Sequence, residues 1–169
     1  MNTYQLQQLL ENKEILEKQI QEAISNKQLF TQKIDEEEMQ GHVQKAEHNL
    51  MFINKVKNNF LDWAITGCYY ACYHAALALI KSREYSSKSH VATLYILIKE
   101  FYKQPFENED FKLLATLLDY EDVLFYVEAK NKREKVSYST TTNYTKEEVA
   151  RLTIQATVFV NKAQDILEK

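Results

Sequence analysis

The sequence contains very little glycine and proline, with 2 glycines and 1 proline in 169 residues. A β-rich fold needs many such residues at its turns, so their scarcity argues against a turn-rich β-protein. Leucine, alanine, glutamate, lysine and glutamine are abundant instead, and these residues favour helices. The chain is long enough to bury one hydrophobic core but too short to cover two well. The composition therefore predicts a single all-α domain over residues 1–169.

The net charge is small and cysteines are few. The net charge of -3 and the pI near 5.9 argue against a broad basic face of the kind that wraps duplex DNA, although a local basic cleft stays compatible with them. The 2 cysteines, Cys68 and Cys72, lie one helical turn apart in an apolar stretch. This spacing suits small buried side chains better than a disulfide framework or a zinc site.

Several motifs that would mark an enzyme or a membrane protein are missing. The sequence has no glycine-rich phosphate loop, no Ser-His-Asp ordering and no Cys/His ligand spacing, which argues against a kinase, a triad hydrolase and a zinc enzyme. We therefore expect no cofactor and no metal. The sequence also shows no basic-then-apolar leader and no run of about 18 apolar residues. These absences predict a cytoplasmic protein that does not enter a membrane.

The most apolar stretch, FLDWAITGCYYACYHAALALI over residues 60–80, predicts a central helix that is buried on nearly all sides. Amphipathic patterns around it predict an up-and-down bundle of about five to six helices. The patterns cover one additional N-terminal helix within residues 1–30, and then a core bundle over residues 35–169 with helices at 36–57, from His90 to Phe101, from Asn108 onward and after Thr145.

Residues suited to N-caps precede these helices: Asp35, Ser87 or Ser89, Asn108 and Thr145. Glu38 follows Asp35 by three residues and is predicted to complete a capping box. Pro105 is predicted to end the helix that begins at His90.

Two tracts resemble a known family. Tyr69–Ala76 reads YYACYHAA and Lys88–His90 reads KSH. They are similar to the small prokaryotic branch of the HEPN (higher-eukaryote and prokaryote nucleotide-binding) family that carries YYAxxHAA and KSH. Arg133–Tyr138 is similar to that branch's RxxxxY segment. The resemblance implies an all-α bundle, frequent dimerisation, pairing with a minimal nucleotidyltransferase protein, and RNA cleavage or RNA binding.

Catalytic members of that family carry an arginine followed after four to six residues by a histidine. Here Arg133 matches the arginine, but Tyr138 stands where the histidine belongs, and tyrosine is a poor base at neutral pH. His74 and His90 complete the candidate catalytic residues, and we expect binding without catalysis. Arg83 and His90 satisfy the bare string, but they follow the central helix, whereas the family's arginine lies near the end of a later long helix.

Eight residues form the candidate site, and each also has a structural interpretation. Lys132, Arg133 and Lys135 would bind phosphate, while Tyr138 or Tyr144 would stack on bases. Alternatively, Arg133 anchors a loop.

The remaining candidates come from the two tracts. Tyr70, His74 and His90 would converge with Arg133 and Tyr138, if the central helix and the helix that begins near Asn108 are neighbours. Alternatively, His74 is a core histidine. His42 and His48 are six residues apart, on different helical faces, and are interpreted as surface or rim residues.

The resulting hypothesis is a HEPN-type binding module. It would be the HEPN half of a toxin–antitoxin-like pair with a minimal nucleotidyltransferase, and it would bind RNA, nucleotide or that partner. The alternatives are a metal-independent endoribonuclease toxin and a homo-oligomeric scaffold. A homodimer is expected because the 11 tyrosines, 8 phenylalanines and 1 tryptophan exceed what one bundle hides.

Overall fold

The part of the chain that the structure describes, residues 3–117 and 144–168 of a computed structural model, is almost wholly helical. This confirms the predicted all-α class. The elements in chain order are α1 (Thr3–Glu11), α2 (Lys13–Ser25), β1 (Leu29–Thr31), α3 (Glu36–Val56), α4 (Leu61–Lys81), β2 (Tyr85–Ser87), α5 (His90–Phe101), α6 (residues 108–117) and α7 (Lys146–Leu167).

Helix α4 lies at the centre of the described bundle. Of its 21 residues 14 are buried, and it packs most extensively against α3 and then α7. This confirms the central helix predicted from the apolar run. The prediction that it is buried on nearly all sides is wrong at one strip, where Trp63 is 59% exposed and Tyr70 is 40% exposed. These residues are seven apart, or about two helical turns, so they lie on the same side of α4.

Helices α3 and α4 form an antiparallel hairpin whose packing depends on Gly67. A Cβ atom added at Gly67 would lie 2.6 Å from Cγ1 of Ile53, which is fully buried. Glycine therefore lets the two backbones approach more closely than any other residue would. This close approach sets which residues of α3 lie opposite which residues of α4.

Three of the predicted N-caps are confirmed. Asp35 accepts a hydrogen bond from the backbone of Glu38, and Ser89 accepts one from the backbone of Ala92. Thr145 forms a complete capping box with Glu148. These interactions satisfy amide groups that the first turn of a helix leaves without partners.

The capping box predicted at Asp35 is only half formed. The Glu38 carboxylate pairs with the buried Lys81 ammonium group at 2.6 Å, so it binds the end of α4. An ammonium group that loses its water on burial needs such a partner, and this outweighs a second bond within the first turn of α3.

The N-terminal segment differs from the single helix predicted for it. Asn12 separates α1 from α2, and its side-chain oxygen accepts hydrogen bonds from the backbones of Glu14 and Ile15. Buried leucines of both helices join the main core, and both helices pack against α5. The segment is therefore folded against its own chain. Strand β1 then pairs antiparallel with β2, with Leu29 opposite Ser87.

Helix α5 ends at Phe101, four residues before Pro105. Asn108, predicted to be an N-cap, already lies inside α6, and its side-chain oxygen accepts a hydrogen bond from the Tyr102 hydroxyl at 2.7 Å. The predicted continuation of α6 lies outside the described residues, as does most of the loop predicted between residues 136 and 145. Within residues 3–117 and 144–168, every helix is too short or too polar to cross a bilayer.

The two glycines make a matched pair for testing the hairpin. Gly67→Ala should destabilise the fold by about 1–2 kcal/mol, because the added methyl group would overlap Ile53. Gly41→Ala should stabilise it by about 0.5–1 kcal/mol, because nothing lies within 4 Å of the new atom and alanine favours helices. Urea unfolding of both variants measures these changes. Equal stability of the two variants would contradict the proposed close approach.

Candidate functional site

Four of the eight predicted site residues lie outside the described residues: Lys132, Arg133, Lys135 and Tyr138. The other four are described. Tyr144 packs against the hydrophobic core just before α7. Tyr70 and His74 on α4 and His90 on α5 lie in one group of aromatic rings.

We call this group the histidine–tyrosine cluster, and it consists of His42, Tyr69, Tyr70, Tyr73, His74 and His90. Its four α4 members sit at positions i, i+1, i+4 and i+5, so their side chains share one side of that helix. The Tyr69 and Tyr73 rings stack at 5.8 Å between centroids, and the Tyr70 and His74 rings stack at 6.4 Å. The positions of these four residues on α4 therefore determine how most of the cluster is arranged.

His90 enters the cluster from the first turn of α5. Its Nδ1 is hydrogen-bonded to the hydroxyl group of Tyr69, and its ring centroid lies 4.2 Å from that of Tyr73. Ser89 caps the N-terminus of α5, and this holds the backbone of His90 in the first turn of the helix. The His90 imidazole is therefore positioned by the Tyr73 ring and the Tyr69 hydroxyl group.

His42 and His74 form a direct pair across the α3–α4 hairpin. Their Nδ1 atoms are 3.0 Å apart and their rings stack at 5.3 Å between centroids. In such a bond one nitrogen donates and the other accepts, so the pair is best satisfied with at least one ring neutral. The earlier interpretation of His42 as a separate surface or rim residue missed this contact, whereas His48 is exposed as expected.

The surroundings keep this pair neutral. Burial, followed by the nearby His42 and Lys45, lowers the pKa of His74 to about 4. The pKa of His42 is also lowered, first by burial and then by Lys81, with Glu38 opposing the change. At neutral pH two uncharged imidazoles can bind a ligand through hydrogen bonds.

A small cavity adjoins the cluster. It has a volume of about 20 Å³, close to that of one water molecule, and Tyr69, Tyr73 and His90 form part of its wall. Cys72 also faces it, but burial raises the pKa of this thiol well above its ordinary value. Burial likewise raises the pKa of Cys68 to about 11, so neither cysteine is a ready nucleophile.

The string from Arg83 to His90 does not form a site. The Arg83 guanidinium lies over the ring of Phe101, 5.2 Å from its centroid. Phe101 is the last of the 12 residues of α5 and His90 is the first, so the two ends are roughly 16 Å apart along the helix. Among residues 3–117 and 144–168, no three histidine, cysteine, aspartate or glutamate side chains are grouped to hold a metal ion.

Two proteins of Methanocaldococcus jannaschii are similar to this chain. The first, named "Putative toxin MJ0142", is 30% identical over 131 residues, which cover 77% of this chain and 82% of that protein. The second, named "Putative toxin MJ0605", is 26% identical over 138 residues, covering 79% and 91%. The chain belongs to this toxin-named family. No model of a known protein family matches it.

The tracts that resemble HEPN domains supply most of the cluster. Tyr69, Tyr70, Tyr73 and His74 come from the YYACYHAA tract, and His90 comes from KSH. In this member of the toxin-named family the two tracts meet in space through the Tyr69–His90 hydrogen bond. His42 is the one cluster residue that neither tract contains.

The histidine pair makes the fold sensitive to acid. An unfolded histidine binds a proton near pH 6.5, whereas folded His74 resists protonation until about pH 4. The unfolded state therefore binds more protons in this window, and stability should fall as the pH falls from 6.5 to 4. Urea midpoints of wild type and His74→Phe should show a shallower pH dependence for the variant. The exposed-site control His48→Gln should match wild type, and an unchanged slope in His74→Phe would contradict the lowered pKa.

Proposed function

We propose that this chain is the toxin of a toxin–antitoxin pair, folded as a HEPN-type domain, and that it acts by binding RNA or a nucleotide. The observation that carries the proposal is the histidine–tyrosine cluster, since the tracts that resemble HEPN domains converge in it. The toxin names of both relatives support the biological role. The N-terminal helices α1 and α2 would then extend a single domain over residues 1–169.

The chemistry of the cluster suits a nucleic acid ligand. Partly exposed Tyr70 offers a ring face on which a base can stack, and such stacking does not depend strongly on sequence. Neutral His42 and His74 can hydrogen-bond to a base edge or a hydroxyl group. Lys45 supplies a positive charge close to both histidines. We propose that Lys132, Arg133, Lys135, Tyr138 and Tyr144 complete this surface, with the three basic residues contacting phosphate groups.

The proposed protein partner is a minimal nucleotidyltransferase, which the HEPN resemblance implies and which would act as the antitoxin. A second proposed partner is another copy of the chain. The exposed strip of α4 supports this at Trp63, because a large exposed ring tolerates an interface. Phe60, the residue just before α4, is also exposed and extends the strip.

A metal-independent endoribonuclease is the second candidate function, and the His42–His74 pair favours it. A neutral imidazole can take a proton from a ribose hydroxyl group, and the imidazolium that forms can return this proton to the leaving oxygen. Tyr138 occupies the position of the histidine that catalytic HEPN ribonucleases use. We therefore rank binding without cleavage first.

We expect the purified protein to bind single-stranded RNA and to leave it intact in the presence of a metal chelator. Arg133→Ala and His74→Ala should each weaken binding several-fold, because each removes a proposed contact, while His48→Ala should not. Fluorescence anisotropy with a labelled oligonucleotide measures affinity, and gel electrophoresis of the same samples measures cleavage. Cleavage that His42→Ala or His74→Ala abolishes would establish the ribonuclease instead.

We also expect a homodimer in solution. Light scattering should give twice the chain mass of 19.9 kDa at micromolar concentration. Trp63→Glu should shift the mass toward one chain, because a charge buried in an interface is costly without a partner. Ile154→Glu, an equally exposed apolar position on α7, is the matched control. A monomeric wild type at all concentrations would refute the dimer.

A further inference from the structure

A second cleft lies beside the first turn of α5, where α1 and α2 pack against that helix. Its volume is about 440 Å³, within the range of pockets that hold small ligands. The described residues of its wall are all uncharged, in a chain of which 27% of residues are charged. They include Tyr4, Gln8, Leu9, Ile15, Val91 and Tyr95. We call this cleft the α5 groove.

The wall of the α5 groove combines flat apolar surface with amide groups. Tyr4 is 71% exposed, so its ring face is open to a ligand. Tyr95 is held in place because its hydroxyl group donates to Oε1 of Gln19 at 3.1 Å. Gln8 contributes a side-chain amide, which can donate and accept at the same time. A flat, uncharged ligand with polar edges fits this wall, and a nucleobase has that chemistry.

Charged groups around the groove make its two ends different. Tyr95 lies near Glu22, which adds to the effect of burial in raising the pKa of the phenol. Glu17, also on α2, forms an ion pair with Lys99 at 3.3 Å, one turn further along α5. A phosphate group would be repelled at this end by the Glu22 carboxylate, whereas the charge of Glu17 is balanced by Lys99. At the Val91 end it would meet the N-terminus of α5, whose dipole favours negative charge.

The Val91 end of the groove adjoins the histidine–tyrosine cluster. Val91 lines the groove, and the preceding residue, His90, is bonded to Tyr69 within the cluster. The first turn of α5 thus lies between the groove and the cluster.

We propose that the α5 groove binds one base of a single-stranded RNA whose backbone continues past the start of α5 to the histidine–tyrosine cluster. This inference rests on the proposed RNA binding. In it Tyr4 stacks on the base, Gln8 bonds to its polar edge, and Leu9 and Ile15 form the floor. Adenine is the favoured base, because a glutamine amide matches its adjacent donor and acceptor.

The test compares two RNAs of eight nucleotides: oligoadenylate, and the same backbone without bases. Tyr4→Ala should weaken the binding of oligoadenylate at least about fivefold, the low end for loss of one base–aromatic stack. Gln8→Ala should weaken it at least about twofold, the low end for loss of one hydrogen bond. Neither should change binding of the abasic strand. Gln7→Ala is the matched control, because Gln7 lies on α1 next to Gln8 and bonds to Glu11, outside the groove.

A second measurement separates this inference from the proposed function. Adenosine 5′-monophosphate should shift the NMR resonances of the Tyr4 and Tyr95 rings in wild type. If wild type binds oligoadenylate and both groove variants bind it equally well, the inference is wrong while RNA binding stands. If wild type binds neither RNA, the proposed RNA binding is wrong. The titration with adenosine 5′-monophosphate alone then tests whether the groove binds a base. Unshifted tyrosine resonances would then overturn it.

Discussion

The close packing of α3 on α4 at Gly67 is the contact on which the described site depends. Without a side chain at Gly67, Ile53 lies directly against the α4 backbone. The register that follows places His42 opposite His74 and Glu38 opposite Lys81. A different register of the same two helices would leave both histidines with other neighbours. The site therefore depends on the register of α3 against α4 as much as on the identity of its polar residues.

Much of the fold could be predicted because its signals are local. The scarcity of glycine and proline indicates helices, the apolar run indicates α4, and the side chains of Asp35, Ser89 and Thr145 mark three helix starts. The break at Asn12 was missed because hydrophobic spacing continues across it, and a cap inside a regular pattern is hard to distinguish from a surface residue. The pairing of β1 with β2 was missed as well, since two strands of three residues form through a contact between distant segments.

The site residues that lie in short sequence tracts could be predicted, whereas the contact between distant residues could not. His74 and His90 were identified from their tracts, and the structure places both in one cluster. His42 lies 32 residues before His74, so only the hairpin register brings them together. A search for pairs within one helix could not find it. Arg133 and Tyr138 remain predictions.

The strand pair gives the first thirty residues a role beyond adding length. Thr31 lies opposite Tyr85, so β1 ties the end of the α2 segment to the link that leads from α4 into α5. A chain shortened to begin at Asp35 would keep α3 to α7 but would bare the apolar side of α5 and leave the edge of β2 unpaired. Exposed apolar surface and unpaired strand edges both promote aggregation. The covering of α5 and β2 thus depends on a segment that contributes no residue to the cluster.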